Sequence, residues 1–254
     1  MEVSGISKSF GGLKAVQSVD LSASAGKILS IIGPNGAGKT TLFNCLTGIY
    51  RPDTGSIFLE GREITGTQPH EVCRLGIART FQNIRLFGEM TALENVMVGH
   101  FHHDEISLWH ILSHSPAHRI LCGRNKEAAS ALLARVGLEG AGDLPAQSLA
   151  YGLQKRLEIA RALATQPKIL LLDEPGAGMN PQELGGLIDL IGRLKKDGLA
   201  IVLIEHHMQV VMEISDDILV LDHGEQIAHG IPRDIRNNPR VIEAYLGKSS
   251  SAGQ

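Results

Sequence analysis

Gly33-Pro34-Asn35-Gly36-Ala37-Gly38-Lys39-Thr40-Thr41 is the stretch that most limits what this chain can fold into. The GxxxxGK[ST] spacing lets successive backbone N–H groups curl round phosphate oxygens. Gly36 and Gly38 suit tight backbone conformations and close approach to a ligand. Lys39 is placed to reach the β- and γ-phosphates of a nucleotide, and Thr40 offers a hydroxyl to Mg²⁺. Residues 28–32 read as a buried strand and residues 41–46 as a helix, whose N-terminus favours phosphate. Strand, glycine loop and helix in that order predict an α/β chain with ligands at the carboxyl ends of parallel strands.

Residues 169–172 are a continuous apolar run, as a parallel strand covered on both faces requires. Asp173 and Glu174 follow at its carboxyl end, where one acid can hold a Mg²⁺ shell and the next can act as general base. A pair of solvated loop acids is the bland alternative. Residues 200–204 form a second such run and lead into Glu205-His206-His207. A lone histidine at a strand end is usually structural. Leu149-Ala150-Tyr151-Gly152-Leu153-Gln154 opens a helix whose apolar stripe is Leu153, Leu157, Ala160 and Ala164, with Lys155, Arg156 and Arg161 largely off it. That helix N-terminus is a second anion site. Asn180-Pro181-Gln182-Glu183 has the residues of a capping box with proline at N1. Taken alone, Gln82 is a plain surface glutamine and Phe10 a core or edge-strand aromatic.

The phosphate loop, the 149–154 stretch and Asp173-Glu174, in that order, resemble the motifs of the ABC ATPases over nearly the whole chain. The resemblance implies a single domain, residues 1–254: a P-loop (RecA-like) parallel-sheet core with an N-terminal antiparallel β-subdomain and an inserted helical lobe. Residues 1–82 and 158–254 would form the nucleotide-binding core lobe, and residues 83–157 the helical lobe with the signature motif. It implies ATP and Mg²⁺ as cofactors. Gly33, Pro34, Asn35, Gly36, Ala37, Gly38, Lys39, Thr40 and Thr41 would surround the phosphates, and Phe10 would stack on adenine. Thr40, Gln82 and Asp173 would serve the metal. Glu174 would be the general base, His206 the switch histidine on the γ-phosphate, and Gln82 the Q-loop glutamine reaching metal or attacking water. Tyr151 and Gly152 would face the γ-phosphate held by a partner subunit, and Gly178-Met179-Asn180 would be the D-loop. Asn180 then has two readings, as a helix cap and as part of a loop at a subunit boundary.

The signature departs from the usual LSGGQ at Ala150, Tyr151 and Leu153. LAYG is similar to the signature of branched-chain amino-acid importer ATPases, as are residues 79–87, Glu205-His206-His207-Met208 and residues 237–247. Leu153 departs from that pattern too. The function expected is an ATP-hydrolysing importer subunit for branched-chain or related amino acids. It would pair with a second ATPase subunit, identical or paralogous, and with transmembrane permease subunits, and would not touch the solute. ATPases of urea or amide uptake and of lipopolysaccharide export are related. Two further classes stay open: a soluble ABC ATPase acting on ribosomes or DNA, and a nucleotide-gated binding module without turnover. The first usually carries two ATPase units or a long arm. The second is favoured by Ala150 and Leu153 and opposed by Glu174 and His206.

A net charge of −3 gives no general attraction to nucleic acid. Cys45, Cys73 and Cys122 are too scattered for a disulfide framework or zinc site. No secretory signal is apparent, and the apolar runs fall far short of the ~20 residues of a membrane span. The expected place is therefore the cytoplasm, peripheral on the inner face of the membrane through a docked protein. Residues 126–136 read as an amphipathic helix with Ala128, Leu132, Leu133 and Val136 inward, residues 218–228 as a hairpin and residues 241–247 as a short helix. His110, His114 and His118 are spaced by four, near His100, His102 and His103, but Pro116 interrupts the row. A solvated polar face is expected there rather than a metal site.

Overall fold

The computed structural model describes residues 1–100 and 116–246. Its described strands form one ten-stranded sheet in two parts. The parallel part is β6 (Ile77–Arg79), β7 (Ile169–Asp173), β8 (Ala200–Ile204), β3 (Ile28–Ile32) and β9 (Asp217–Asp222), in that spatial order. Every residue of β3, β7 and β8 is buried, which is why these strands read as unbroken apolar runs. The antiparallel part is β5 (Arg62–Glu63), β4 (Thr54–Leu59), β1 (Glu2–Phe10) and β2 (Leu13–Ser22). The expected hairpin is present: β9 turns into β10 (Glu225–Gly230), whose Glu225 also pairs with Gln17 of β2 and so joins the two parts.

The alternation of side chains along residues 15–21 changes phase inside β2. Val16 is buried, and so are Val19 and Leu21. Ser18 between them has φ 46°, and the register with β1 shifts there. A β-bulge explains this, because one extra residue exchanges the two faces of a strand.

Helices cover both faces of the parallel strands. Leu42, Phe43 and Leu46 of α1 (Lys39–Leu46) pack with Leu29, Ile31, Leu171 and Val202. On the other face, Leu170, Leu172, Ile201 and Leu203 share a core with α5 (Tyr151–Ala164) and α6 (Pro181–Lys196). That core extends to α3 (Ala92–His100) and α4 (Pro116–Arg135) through Val96, Ala129, Leu133 and Val136. Short helices α2 (Pro69–Arg74), α7 (Met208–Ile214), α8 (Pro232–Arg236) and α9 (Pro239–Leu246) complete the described α-helices. None of the described helices is long and apolar enough to cross a membrane.

Two expectations need correction. The helix expected over residues 126–136 is longer, and Ala129 rather than Ala128 faces the core. Lys155 does not lie on a solvent face: it is 2 % exposed, because α5 is covered on both sides of its apolar stripe and Glu158 is buried as well. α5 itself runs unbroken from Tyr151 to Ala164. The capping box at α6 is complete, with Glu183 N–H donating to Asn180 Oδ1 at 2.9 Å and Asn180 N–H donating to Glu183 Oε2 at 3.0 Å. His102, His103, His110, His114 and the His118 side chain lie outside the described residues.

Candidate functional site

Parallel register brings four strand ends to one edge of the sheet. Arg79 pairs with Leu171, Asp173 pairs with Ile204, and Ile31 pairs with both Ile204 and Leu219. The loop after β3 rises from this edge and enters α1 at Lys39. Gly33 and Gly38 have φ of 150° and 101°, and a Cβ on either would come within 2.0 Å of Leu221 O or 2.2 Å of Ala15 O. Those two glycines are needed for packing. Gly36 meets nothing within 4 Å and needs its glycine only for a φ of 80°. Lys39 Nζ donates to Gly33 O at 2.7 Å and Pro34 O at 2.9 Å, inside the loop's own curve. Burial lowers the Lys39 pKa, while Glu174 and Asp173 act in the opposite direction.

A cleft of about 460 Å³ opens on this loop. Its walls include Asn35 through Thr41, Phe10, Gln82, Glu174 and His206. Glu174 sits just past β7 with φ 48°, in the left-handed region that a non-glycine residue occupies at a cost of about 1–3 kcal/mol. Its carboxylate is held at both oxygens. Gln82 Nε2 donates to Oε2 at 2.8 Å, and His206 Nε2 lies 2.5 Å from Oε1. Phe10 is 43 % exposed and packs edge-on against Tyr50, with ring centroids 5.1 Å apart. It lines the cleft, with Lys8 Nζ 5.6 Å from its ring centroid.

Asp173 is buried behind the cleft and pairs with Arg79, Nη2 to Oδ2, at 2.7 Å. Thr40, Gln82 and Asp173 offer a hydroxyl, an amide and a carboxylate, an all-oxygen donor set of the kind Mg²⁺ takes together with nucleotide phosphates. No cluster of three His, Cys, Asp or Glu that could cage a metal alone occurs among the described residues. That donor set fits a cation shared between protein and nucleotide. Tyr151 and Gly152 are not in this cleft. A Cβ on Gly152 would lie 2.7 Å from Glu183 Oε1, and the Tyr151 ring lies against Gly178. The first turn of α5 thus packs on the 178–183 segment, while Tyr151 is 44 % exposed. Ala150 stands at the N-cap with no side-chain cap bond.

Sequence reasoning missed several residues here. Arg79 carried no motif of its own, although it stands three positions before Gln82. Glu205, only 2 % exposed, accepts from Gly176 N–H at 2.8 Å and from its neighbour His206 N–H at 2.9 Å. It thereby ties the loop after Glu174 to the loop bearing His206. Its one available signal was a carboxylate directly after a fully apolar strand. Leu13, Lys14 and His223 also line the cleft and belong to no motif.

The geometry of a phosphate loop facing a glutamine, a glutamate and a histidine has a counterpart among known families. The family model of the ABC transporter matches residues 16–177. The chain belongs to the ABC transporter family. A second model, the branched-chain amino acid ATP-binding cassette transporter, matches residues 225–250 at the C-terminal end of this cassette. The cassette is 48 % identical over 250 residues to the high-affinity branched-chain amino acid transport ATP-binding protein BraF of Pseudomonas aeruginosa, covering 98 % of each chain. It is similar to the crystal structure of a nucleotide-free ATP-binding cassette from an ABC transporter, with TM-score 0.85, 33 % identity, and 97 % and 98 % of the two chains covered. The ADP conformation of such a cassette matches with TM-score 0.83 at 33 % identity over the same shares. This chain is therefore an ABC ATPase with the α/β fold of that family.

Proposed function

We propose that this chain is the ATP-hydrolysing subunit of an importer for branched-chain or related amino acids. The observation that carries the reading is the convergence of Gln82 and His206 on the two carboxylate oxygens of Glu174, beside the Gly36–Thr41 loop. Bound ATP–Mg²⁺ supplies the phosphoryl group and a divalent charge that offsets the phosphates. The loop N–H groups and Lys39 hold the β- and γ-phosphate oxygens. Phe10 takes the adenine face. Thr40, Gln82 and Asp173 serve the cation. Glu174 orients water and accepts its proton, and His206 holds Glu174 from the other side. The 48 % identity to a branched-chain amino acid transport protein supports the solute class.

Tyr151 and Gly152 are remote from this chain's own cleft, so their role requires a second ATPase subunit, identical or paralogous. Residues 83–157 act as the helical lobe that presents them, and residues 1–82 with 158–254 as the nucleotide-binding lobe. A groove of about 490 Å³ lies beside the Gln82 loop, lined by Ile49, Val72, Phe81, Phe87, Val98 and other residues of both lobes. Two buried polar atoms at it, Glu158 Oε2 and Arg79 Nε, have no hydrogen-bond partner among the described residues. An apolar groove with unmet polar groups suits a segment of a membrane permease. Such docking would hold the cassette at the inner face of the membrane, away from the solute.

The test is Lys39→Ala, assayed with a fluorescent ATP analogue in Mg²⁺ alongside circular dichroism. Lost affinity with an unchanged spectrum is expected. Unchanged affinity would remove the loop from nucleotide binding and the ATPase reading with it.

A further inference from the structure

The helix that opens with Tyr151 and Gly152 also grips the loop of Gln82. Lys155, one turn into α5, is buried, and its Nζ donates to Phe81 O at 3.1 Å and to Gln82 O at 2.6 Å. Glu158, three residues on and equally buried, accepts the Arg85 backbone N–H through Oε1 at 2.7 Å. A cation thus holds two carbonyls at the start of the 81–85 loop, and an anion holds an N–H at its end. Neither side chain faces solvent, so each has a definite position that water does not compete for. The Arg85 guanidinium lies 4.3 Å from the centroid of the Phe81 ring and closes the loop on itself.

We propose that Lys155 and Glu158 are positioning residues that clamp the 81–85 loop to α5, so that Gln82, and through it Glu174, moves with the helix carrying Tyr151 and Gly152. The path is short and continuous: Lys155 Nζ to Gln82 O, then Gln82 Nε2 to Glu174 Oε2 at 2.8 Å. Resting on the two-subunit reading above, the clamp couples the ATP sites. The first turn of α5 meets nucleotide across the subunit boundary, while Lys155 on the same helix sets the base in its own cleft. Charged hydrogen bonds to backbone are suited to this, because backbone cannot rotate away as a side chain does. Bonding to backbone also explains why such a clamp has no side-chain motif on the loop.

The test is a double-mutant cycle on ATP turnover in the reconstituted transporter, using Lys155→Met, Gln82→Ala and the pair. Lys155→Met alone is expected to lower kcat by about tenfold to a hundredfold, the loss that follows from misplacing a catalytic group by about an ångström. ATP affinity of the isolated subunit should stay within about twofold, since the hydrogen bonds of Lys155 go to Phe81 and Gln82 rather than to the 33–41 loop. On a Gln82→Ala background Lys155→Met should add almost nothing, because the group it positions is already gone. Lys155→Arg, which keeps a cation with N–H donors, should recover part of the rate. Fully multiplicative losses would overturn the clamp, since a purely structural lysine lowers the rate whether or not Gln82 is present. That outcome leaves the ATPase reading intact. Failure of the parent protein itself to turn over ATP would instead remove the reading beneath it. Amide exchange of the parent protein gives an independent outcome that needs no variant. Arg85 N–H, on a loop, should exchange as slowly as helix interior amides, and fast exchange would sink the Glu158 arm.

Discussion

Arg79 and Asp173 form an ion pair of 2.7 Å across neighbouring strands, with side-chain exposures of only 6 % and 4 %. Arg79 also donates to Asn44 Oδ1 on α1 at 2.6 Å, so one guanidinium joins β6, β7 and the helix of the phosphate loop. Removing one partner of a buried pair leaves an uncompensated charge, which costs about 3–5 kcal/mol. Arg79→Met should lose that much in a urea unfolding titration. A loss under about 1 kcal/mol would show that Asp173 does not depend on Arg79.

Glu174→Gln keeps the shape of the site. The amide oxygen can still accept from Gln82, and its NH₂ can donate to His206 Nε2 in the tautomer that carries hydrogen on Nδ1. The proposed general base is then lost, and such a base contributes about a hundredfold to ten-thousandfold. ATP should bind without turnover and hold two subunits together, which light scattering with and without ATP will register. Turnover at the parent's rate would assign the base elsewhere.

Gly152 faces Glu183 closely enough that any Cβ displaces the carboxylate that accepts the Asn180 N–H. Gly152→Ala should therefore weaken the α6 cap, at about 1 kcal/mol. Gly152→Asp adds a second carboxylate to that contact and a negative charge at the first turn of α5. It should abolish hydrolysis in the assembled transporter yet leave ATP binding by the isolated subunit intact, because the 33–41 loop is untouched. Pairing Gly152→Ala with Glu183→Ala tests the contact directly. Additive stability losses would mean the two residues are independent. Ala150→Ser should change turnover only modestly, since the backbone donors of α5 remain.

Burial pushes the Cys45 thiol up to about 11, and its side chain packs into the core from α1 itself. At pH 8 a group with that pKa is ionised to about one part in a thousand, and the thiolate is the reactive form. Iodoacetamide should leave Cys45 unmodified in the folded protein and alkylate it in denaturant, with mass spectrometry as the readout. Rapid native labelling would mean that α1 opens readily.

Much of this molecule was legible in short windows of sequence. The buried strands, the phosphate loop and the α6 capping box each depend on residues within a few positions of one another, so composition and spacing reveal them. Lys39, Glu174, His206 and Gln82 were found because motifs name them. Their meeting in one cleft was an expectation that parallel register fulfils, with Asp173 set opposite Ile204. The partners of these residues were not legible. Arg79 meets Asp173 across 94 positions, and Lys155 reaches Gln82 across 73. Lys155 looked like the polar side of an amphipathic helix, because a charged residue normally marks the solvent face. Lys155 and Glu158 are both buried because a loop far off in sequence supplies backbone groups that bind them. Burial of charge is decided by what folds over it, and only tertiary packing holds that information.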